Sequence, residues 1–166
     1  MSKDSGRRSG AISVADISRR KTAGKKLSMV TCYDAAFARL VEDSGIDMVL
    51  VGDSLGNVVL GYGDTLPVTM DDMVHHTAAV ARVLRTPFLT ADMPFMSYKI
   101  SVEQALTNAA RLIQEGGAMA VKVEGGEEIG AQVAAITAAG IPVMGHLGLT
   151  PQSVHALGGY KVQGRG

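Results

Sequence analysis

The chain has 166 residues, which is enough for one domain with a substantial hydrophobic core, and 46% of them are hydrophobic. Sixteen Lys and Arg residues balance sixteen Asp and Glu residues, so the overall charge indicates neither nucleic-acid binding nor membrane binding. No apolar run approaches the roughly 20 residues that cross a bilayer, and the charged N-terminus does not resemble a signal peptide. The single cysteine, Cys32, excludes an internal disulfide and a cysteine-cluster zinc site. We expect Cys32 to be a buried packing residue, and we expect the protein to be cytoplasmic.

The N-terminal region is basic. Residues 1–26 carry eight Lys and Arg residues and two acidic residues, whereas residues 27–166 carry eight and fourteen. We interpret residues 1–26 as a flexible basic arm followed by a short surface helix over 14–22, with Ser13 as its N-cap. Binding of nucleic acid or of a membrane surface is the alternative. We do not favour it, because no aromatic residue lies between these charges and the acidic remainder of the chain would repel phosphates.

Residues 27–166 alternate between predicted strands and predicted helices. Apolar runs that end at polar or glycine-rich segments predict five strands, at 27–33, 48–52, 88–91, 118–123 and 142–146. Capping residues and helical periodicity predict the intervening helices, at 34–43, 69–84, 101–115 and 127–138. The segment 53–68 is predicted to be a long glycine-rich loop, and 147–166 a loop-like tail.

This alternation predicts a parallel sheet, for which two folds are open: a doubly wound sheet and a (β/α)8 barrel. Polar groups at the ends of several different strands favour the barrel. The first strand is followed by no glycine fingerprint of a dinucleotide-binding fold, which argues against the open sheet. A barrel needs about 250 residues, so we predict that this chain contains about the first five of its eight units.

Three carboxylates end consecutive predicted strands: Asp53, Asp92 and Glu124. A barrel brings such residues together around one mouth, where they repel each other unless a cation lies between them. Oxygen ligands favour Mg²⁺ or a similar hard ion, so the pattern predicts a metal site. The alternative is that each carboxylate is only a helix cap or a charge at the end of a loop.

Other polar residues surround this predicted site. Lys122 lies two residues before Glu124, so both side chains face the same side of their strand. A buried lysine needs an anionic partner, which is either Glu124 or a substrate carboxylate. Ser54 could donate to the same anion or cap the loop. His146 ends the fifth strand and is either an acid–base group or a core histidine that is hydrogen-bonded within the protein.

Two adjacent histidines, His75 and His76, lie on a predicted helix. Neighbouring positions on a helix face different directions, so we do not expect them to chelate a metal together. The isolated His155 carries no pattern that indicates a role.

Seven segments, in this order, resemble the ketopantoate hydroxymethyltransferase family, and the resemblance covers residues 12–166. These segments read V-G-D-S-L-G, T-L-P-V-T, H-H-T-A-A-V, A-D-M-P-F-M-S-Y, V-K-V-E-G-G, G-H-L-G-L-T-P-Q-S-V and G-G-Y-K-V-Q-G-R-G. The resemblance implies a (β/α)8 TIM barrel of the phosphoenolpyruvate mutase/isocitrate lyase superfamily. It also implies transfer of a hydroxymethyl group from 5,10-methylenetetrahydrofolate to 3-methyl-2-oxobutanoate, through a Mg-stabilised enolate, to give 2-dehydropantoate for pantothenate biosynthesis.

The resemblance also implies roles for single residues. Asp53, Asp92 and Glu124 would hold Mg²⁺, and the 2-oxoacid would chelate that metal. Asp53, Ser54, Asp92 and Lys122 would contact the substrate, with Ser54 and Lys122 near its carboxylate. His146 would lie close to the substrate. Members of this family are cytoplasmic and assemble as decamers.

The family's catalytic base is a glutamate on a later strand, beyond Gly166. The matched part of the fold therefore lacks that base and about three barrel units. We expect residues 1–166 alone to be inactive, with open sheet edges that favour self-association. Two alternatives stay open: another Mg-dependent carbon–carbon lyase or mutase of the same superfamily, and a non-catalytic fragment. The segment G-H-L-G-L-T-P-Q-S-V argues against the first of these.

Overall fold

The computed structural model describes residues 10–159 and 163, and its centre is a five-stranded parallel sheet. The strands are β1 (Met29–Thr31), β2 (Met48–Val51), β3 (Phe88–Asp92), β4 (Ala120–Glu124) and β5 (Val143–His146). They lie in the order β1-β2-β3-β4-β5, and each is parallel to its neighbours. Sequential order without a reversal is typical of a barrel segment and not of a doubly wound sheet. The prediction of five parallel strands is therefore confirmed.

In the described residues, six α-helices accompany the sheet. They are α1 (Val14–Thr22), α2 (Ala35–Asp43), α3 (Leu55–Val58), α4 (Met70–Ala81), α5 (Val102–Gln114) and α6 (Gly130–Ala138), with one-turn 3-10 helices at Glu127–Ile129 and Pro151–Ser153. Predicted caps begin several of them: Thr69 and Asp72 form a capping box at α4, and Ser101 accepts from Gln104 N–H at α5. Such caps satisfy backbone N–H groups that have no partner within the helix. None of the helices in the described part of the chain is long and apolar enough to span a membrane.

The two faces of the sheet have different roles, because side chains alternate along each strand. On one face, residues such as Val49, Leu89 and Val121 are fully buried against the helices in the main hydrophobic core. On the other face, Met48, Phe88 and Ala120 form a second cluster at the amino ends of the strands, where Ile12, Ile17 and Leu27 pack against them. The carboxyl ends of the strands on this second face carry the polar side chains. This second face is therefore hydrophobic at the amino ends of the strands and polar at their carboxyl ends.

The segment 53–68 is not a continuous loop, and this part of the prediction was wrong. It contains the single turn α3, in which Val59 N–H donates to Leu55 O at 2.9 Å. The Leu55 side chain is fully buried and anchors this turn in the core. A side chain at Gly56 would place its Cβ 2.6 Å from Val68 Cγ2, so the close return of the chain requires glycine there.

Several predicted boundaries differ from the observed ones. The first strand is three residues long instead of seven, the fourth is shifted by one or two residues to end at Glu124, and α4 ends at Ala81 and not at residue 84. The helix predicted over 127–138 begins as a 3-10 turn, and the tail contains another such turn. The predictions for residues 1–9, 160–162 and 164–166 lie outside the described residues.

Candidate active site

A cavity of about 400 Å³ lies at the carboxyl ends of the strands. All six residues predicted for the site line it: Asp53, Ser54, Asp92, Lys122, Glu124 and His146. Leu50, Asn57, Thr65 and Pro151 also line it and were not predicted. The structure therefore brings the predicted polar residues to one cavity.

Strand register explains why these side chains meet. Asp92 on β3 is the register partner of Lys122 on β4, and Glu124 on β4 is the register partner of His146 on β5. Asp53 follows β2 directly, and its backbone N–H donates to Asp92 Oδ2 at 3.0 Å. Parallel strands deliver the groups at their carboxyl ends to the same edge, which is where the cavity lies.

Lys122 forms its shorter ion pair with Asp92. Its Nζ lies 2.7 Å from Asp92 Oδ1 and 3.6 Å from Glu124 Oε1. The period of two along a strand predicts only Glu124 as a protein partner, because contact with Asp92 depends on the register between β3 and β4. Burial acts to lower the pKa of Lys122, but the charge of Asp92 and the hydrogen bond to it outweigh burial, so the pKa is raised. Lys122 is therefore a charged ammonium at neutral pH.

The carboxylates are in excess over this one lysine. Burial, followed by the nearby charge of Asp92, raises the pKa of Asp53 to about 7, although a hydrogen bond from Gln152 opposes the shift. Burial also raises the pKa of Asp92, against the opposing effect of Lys122. For Asp53, repulsion from the Asp92 charge adds to the effect of burial on the pKa. A cation among these oxygen atoms would relieve that repulsion.

The carboxylates do not form a closed coordination shell as they stand. Among the residues that the structure describes, no three His, Cys, Asp or Glu side chains are grouped as metal ligands. The chemistry of the donors nevertheless suits a hard cation, since every carboxylate supplies oxygen atoms. Metal binding by Asp53, Asp92 and Glu124 stays a prediction.

His146 and Ser54 each have one defined partner. His146 Nδ1 lies 3.0 Å from Glu124 Oε1, and the ring is partly exposed at the cavity wall. Ser54 Oγ lies 2.8 Å from the hydroxyl of Tyr33. These contacts orient both side chains at the cavity. The roles of His146 in acid–base chemistry and of Ser54 in substrate binding stay predictions.

The site contains polar residues that the sequence analysis missed. Gln152, in the 3-10 turn after β5, donates from Nε2 to Asp53 Oδ2 at 2.8 Å. Tyr98, between β3 and α5, accepts a hydrogen bond from Glu124 N–H at 2.9 Å. The only sequence signal for Gln152 was its place in the segment G-H-L-G-L-T-P-Q-S-V. A single glutamine in a loop has no periodicity that could assign it to the site.

The remaining candidates lie elsewhere. His76 Nδ1 is 2.7 Å from the backbone oxygen of Tyr33, and His75 meets the His76 ring edge to face. His155 is mostly exposed, 3.5 Å from Asp64. Cys32 is buried in the core, and burial raises the pKa of its thiol, in agreement with its interpretation as a packing residue.

Solved structures with the same fold come from the phosphoenolpyruvate mutase/isocitrate lyase superfamily. A 2,3-dimethylmalate lyase of that superfamily is 18% identical, with a TM-score of 0.58, over 81% of this chain and 53% of the lyase. A phosphonopyruvate hydrolase, solved in complex with oxalate and Mg²⁺, is 17% identical, with a TM-score of 0.66, over 81% of this chain and 50% of the hydrolase. At this level of identity the likeness concerns the fold alone. It confirms the predicted α/β architecture, a five-strand part of a TIM barrel.

Sequence comparison is more specific. The family model for ketopantoate hydroxymethyltransferase matches residues 11–166. A curated relative from Thermoanaerobacter sp. (strain X514), named 3-methyl-2-oxobutanoate hydroxymethyltransferase, is 64% identical over 154 residues, which are 93% of this chain and 56% of the relative. The chain thus spans about half the length of the curated relatives that it matches. On the extent of the family match and this level of identity, the chain belongs to the ketopantoate hydroxymethyltransferase family.

Proposed function

We propose that this chain supplies the cation-binding and oxoacid-binding half of a 3-methyl-2-oxobutanoate hydroxymethyltransferase in pantothenate biosynthesis. The observation that carries the proposal is the position of Asp53, Asp92, Lys122 and Glu124 around one cavity at the strand ends. Three carboxylates and one ammonium group suit a divalent cation together with an anionic substrate. The name of the 64% identical relative supports the choice of reaction. The lyase and mutase alternatives are represented here by solved structures that share the fold but have far lower sequence identity to this chain.

We propose Asp53, Asp92 and Glu124 as the residues that hold Mg²⁺, directly or through water. Mg²⁺ usually keeps several water ligands and binds one or two carboxylates directly, which is compatible with the open arrangement of these side chains. The phosphonopyruvate hydrolase with a related fold was solved with Mg²⁺ and oxalate. When bound, the cation would stabilise negative charge that develops on the keto oxygen of the substrate.

We assign the substrate carboxylate to Lys122 and Ser54. An ammonium group has three N–H donors, and the contacts of Lys122 with Asp92 and Glu124 use two directions. We place an anion of the cavity at the third donor, because the Lys122 side chain lines the cavity and is 13% exposed. Ser54 Oγ already contacts the Tyr33 hydroxyl, so Ser54 is held at the cavity wall. Together these groups would orient the 2-oxoacid with its keto oxygen toward the carboxylates.

The proposed reaction joins C3 of 3-methyl-2-oxobutanoate to the methylene carbon of 5,10-methylenetetrahydrofolate. A base removes the C3 proton, and the electron pair left on C3 forms the new carbon–carbon bond. Both C–N bonds of the methylene bridge break, the two folate nitrogens take up protons, and water supplies the hydroxyl oxygen of 2-dehydropantoate. We place the base on a glutamate in the part of the longer relatives that the match does not cover. Within this chain, His146 is the candidate for the base, because it lines the cavity.

We also propose a cytoplasmic homo-oligomer, as in the family. Apolar side chains at the surface support association: Phe37 and Leu40 on α2 and Val58 on α3 are each more than 60% exposed. Exposed apolar surface of this kind favours contact with further protein, whether another copy or the remaining barrel units.

A chimera tests the proposed reaction. Residues 1–166 are joined to the remaining C-terminal part of the Thermoanaerobacter relative, and formation of 2-dehydropantoate is measured with Mg²⁺ and both substrates. We expect turnover by the chimera and none by residues 1–166 alone. The chimera with Asp92→Asn should be inactive, whereas Asp71→Asn, at an exposed position in the first turn of α4, should keep its activity. A folded chimera without turnover would contradict the proposed function. Turnover by residues 1–166 alone would place the base within this chain and make His146 the candidate.

A further inference from the structure

Gln152 connects three strand ends at the candidate active site. Its Nε2 donates to Asp53 Oδ2 at 2.8 Å and to Met93 O at 2.9 Å, and its backbone N–H donates to Glu124 Oε2 at 3.1 Å. The residue is only 3% exposed. Asp53 follows β2, Met93 follows β3, and Glu124 ends β4. A single residue of the turn after β5 therefore contacts two of the three carboxylates.

The groups around the Gln152 side chain fix which way its amide points. The Tyr98 hydroxyl accepts from Glu124 N–H at 2.9 Å and lies 2.8 Å from Glu124 O and 2.9 Å from Gln152 Oε1. The side chain of Tyr98 is fully buried, so this hydroxyl is fixed in place. If the amide were flipped, Oε1 would face the Asp53 carboxylate and the Met93 carbonyl, which are both acceptors. The observed orientation gives Nε2 two acceptors, Asp53 Oδ2 and Met93 O, and leaves Oε1 beside the Tyr98 hydroxyl, whose single proton can be donated to it.

We propose that Gln152 is a positioning residue, which holds the Asp53 and Glu124 carboxylates in the orientation needed to bind the divalent cation. This inference rests on the proposed function, because it assumes that these carboxylates bind a cation. Two mutually repelling carboxylates have no reason to stay in a fixed arrangement unless donors hold them. Gln152 supplies one donor to each, its side-chain amide to Asp53 and its backbone N–H to Glu124. Substitution of the side chain removes the first donor, so the variants below test the orientation of Asp53. Groups of this kind, one step removed from a metal, often change its affinity 10- to 100-fold when substituted.

A purely structural role for Gln152 is the competing explanation, since its contacts with Met93 and Tyr98 also fasten the turn after β5 to the sheet. The two roles predict different results. A structural role predicts loss of stability with unchanged cation affinity in the folded protein. A positioning role predicts loss of cation affinity in protein that is still folded.

The experiment uses Mn²⁺ as the probe, because carboxylate sites that take Mg²⁺ also take Mn²⁺. Binding is measured by electron paramagnetic resonance of free Mn²⁺, on the 166-residue chain and on three variants. Gln152→Met removes the amide. Gln152→Asn keeps an amide that is one methylene too short to reach both Asp53 and Met93. Asn108→Ala is the matched control, because Asn108 Nδ2 donates to Ser97 O at 2.6 Å and so holds the loop of Tyr98 without contact to the carboxylates.

We expect Gln152→Met to weaken Mn²⁺ binding about 10- to 100-fold and Gln152→Asn to weaken it less. Asn108→Ala should bind within about twofold of the unsubstituted chain, and circular dichroism should show that each variant is folded. If Gln152→Met does not fold, Gln152→Asn decides the question. Equal Mn²⁺ affinity for the unsubstituted chain and the folded Gln152 variants would overturn the positioning role and leave the proposed cation site intact. No Mn²⁺ binding by the unsubstituted chain would overturn both.

Discussion

Lys122 Nζ lies 2.7 Å from Asp92 Oδ1, and this ion pair joins the ends of β3 and β4 at the candidate active site. It compensates one of the three carboxylates that line the cavity. Asp53 and Glu124 supply further carboxyl oxygen atoms, which are the ligand type that suits a hard cation. Among the described residues, Lys122 is the only Lys or Arg that lines the cavity. Lys122 therefore has two proposed roles: it pairs with Asp92 and Glu124, and it binds the substrate carboxylate. Substitutions can separate these roles.

Lys122→Ala should weaken binding of 3-methyl-2-oxobutanoate and leave divalent-cation binding in place. A hydrogen bond to a charged group contributes about 1.5–3 kcal/mol, so we expect the affinity for the oxoacid to fall roughly 10- to 100-fold. Isothermal titration calorimetry with saturating Mg²⁺ measures this. Lys26→Ala, at an exposed position outside the cavity, is the control. Unchanged oxoacid affinity would show that Lys122 serves only as the ion-pair partner of Asp92 and Glu124.

Gly52→Ala should disturb the site through close contact. An added Cβ would lie 2.8 Å from Ser54 Oγ and 3.4 Å from Asp92 Oδ2, so Ser54 must rotate away from the Tyr33 hydroxyl. Ser54 would then be displaced from its proposed contact with the oxoacid carboxylate. Weakening of that hydrogen bond by about 0.5–1.5 kcal/mol corresponds to an oxoacid affinity lower by roughly 2- to 10-fold. Gly145→Ala on β5 is the control, because a Cβ there meets nothing within 4 Å. Equal affinities for the two variants would contradict the role of Ser54.

Glu42→Gln should lower stability at neutral pH and have less effect in acid. Glu42, near the end of α2, accepts hydrogen bonds from the backbone N–H groups of Arg85 and Thr86, at 2.7 and 3.1 Å. Partial burial acts to raise the pKa of Glu42, but these hydrogen bonds outweigh it and hold the pKa below its ordinary value of 4.5. A lowered pKa in the folded state adds stability above the unfolded pKa, and that stability is lost as the pH falls through the folded pKa.

Urea unfolding of both proteins between about pH 7 and about pH 3 checks this prediction. The difference in the free energy of unfolding between wild type and Glu42→Gln should be present at pH 7 and become smaller toward the acid end. Glu127→Gln, at an exposed position in the 3-10 turn after β4, is the control. If the difference in the free energy of unfolding is constant with pH, the negative charge of Glu42 does not contribute to stability.

The positions of Asp53, Asp92 and Glu124 were accessible from the sequence, because each follows or ends an apolar run that reads as a buried parallel strand. The shared direction of Lys122 and Glu124 was also accessible, from the period of two along a strand. The closer partnership of Lys122 with Asp92 was not, since it depends on the register between β3 and β4. Local periodicity predicts which way a side chain faces but not which residue of the next strand it meets.

Gln152 and α3 illustrate the remaining limits. Gln152 meets Asp53 across 99 positions and Glu124 across 28, and loop residues carry no period that encodes such contacts. The α3 turn has only four residues within a glycine-rich segment, and burial of Leu55 in the core stabilises it. Both features arise from tertiary packing, which overrides the local preference of the chain.

The proposed function is tested most directly by titrating 3-methyl-2-oxobutanoate into the chain with Mg²⁺ and, separately, with excess EDTA. If the cavity at the strand ends binds the oxoacid together with a cation, calorimetry should show saturable binding with Mg²⁺ that is lost in EDTA and in Asp92→Asn. Asp71→Asn should bind as the unsubstituted chain does. Binding that is equally strong in EDTA, or absent from folded protein with Mg²⁺, would contradict the proposal that Asp53, Asp92, Lys122 and Glu124 form a cation-dependent oxoacid site.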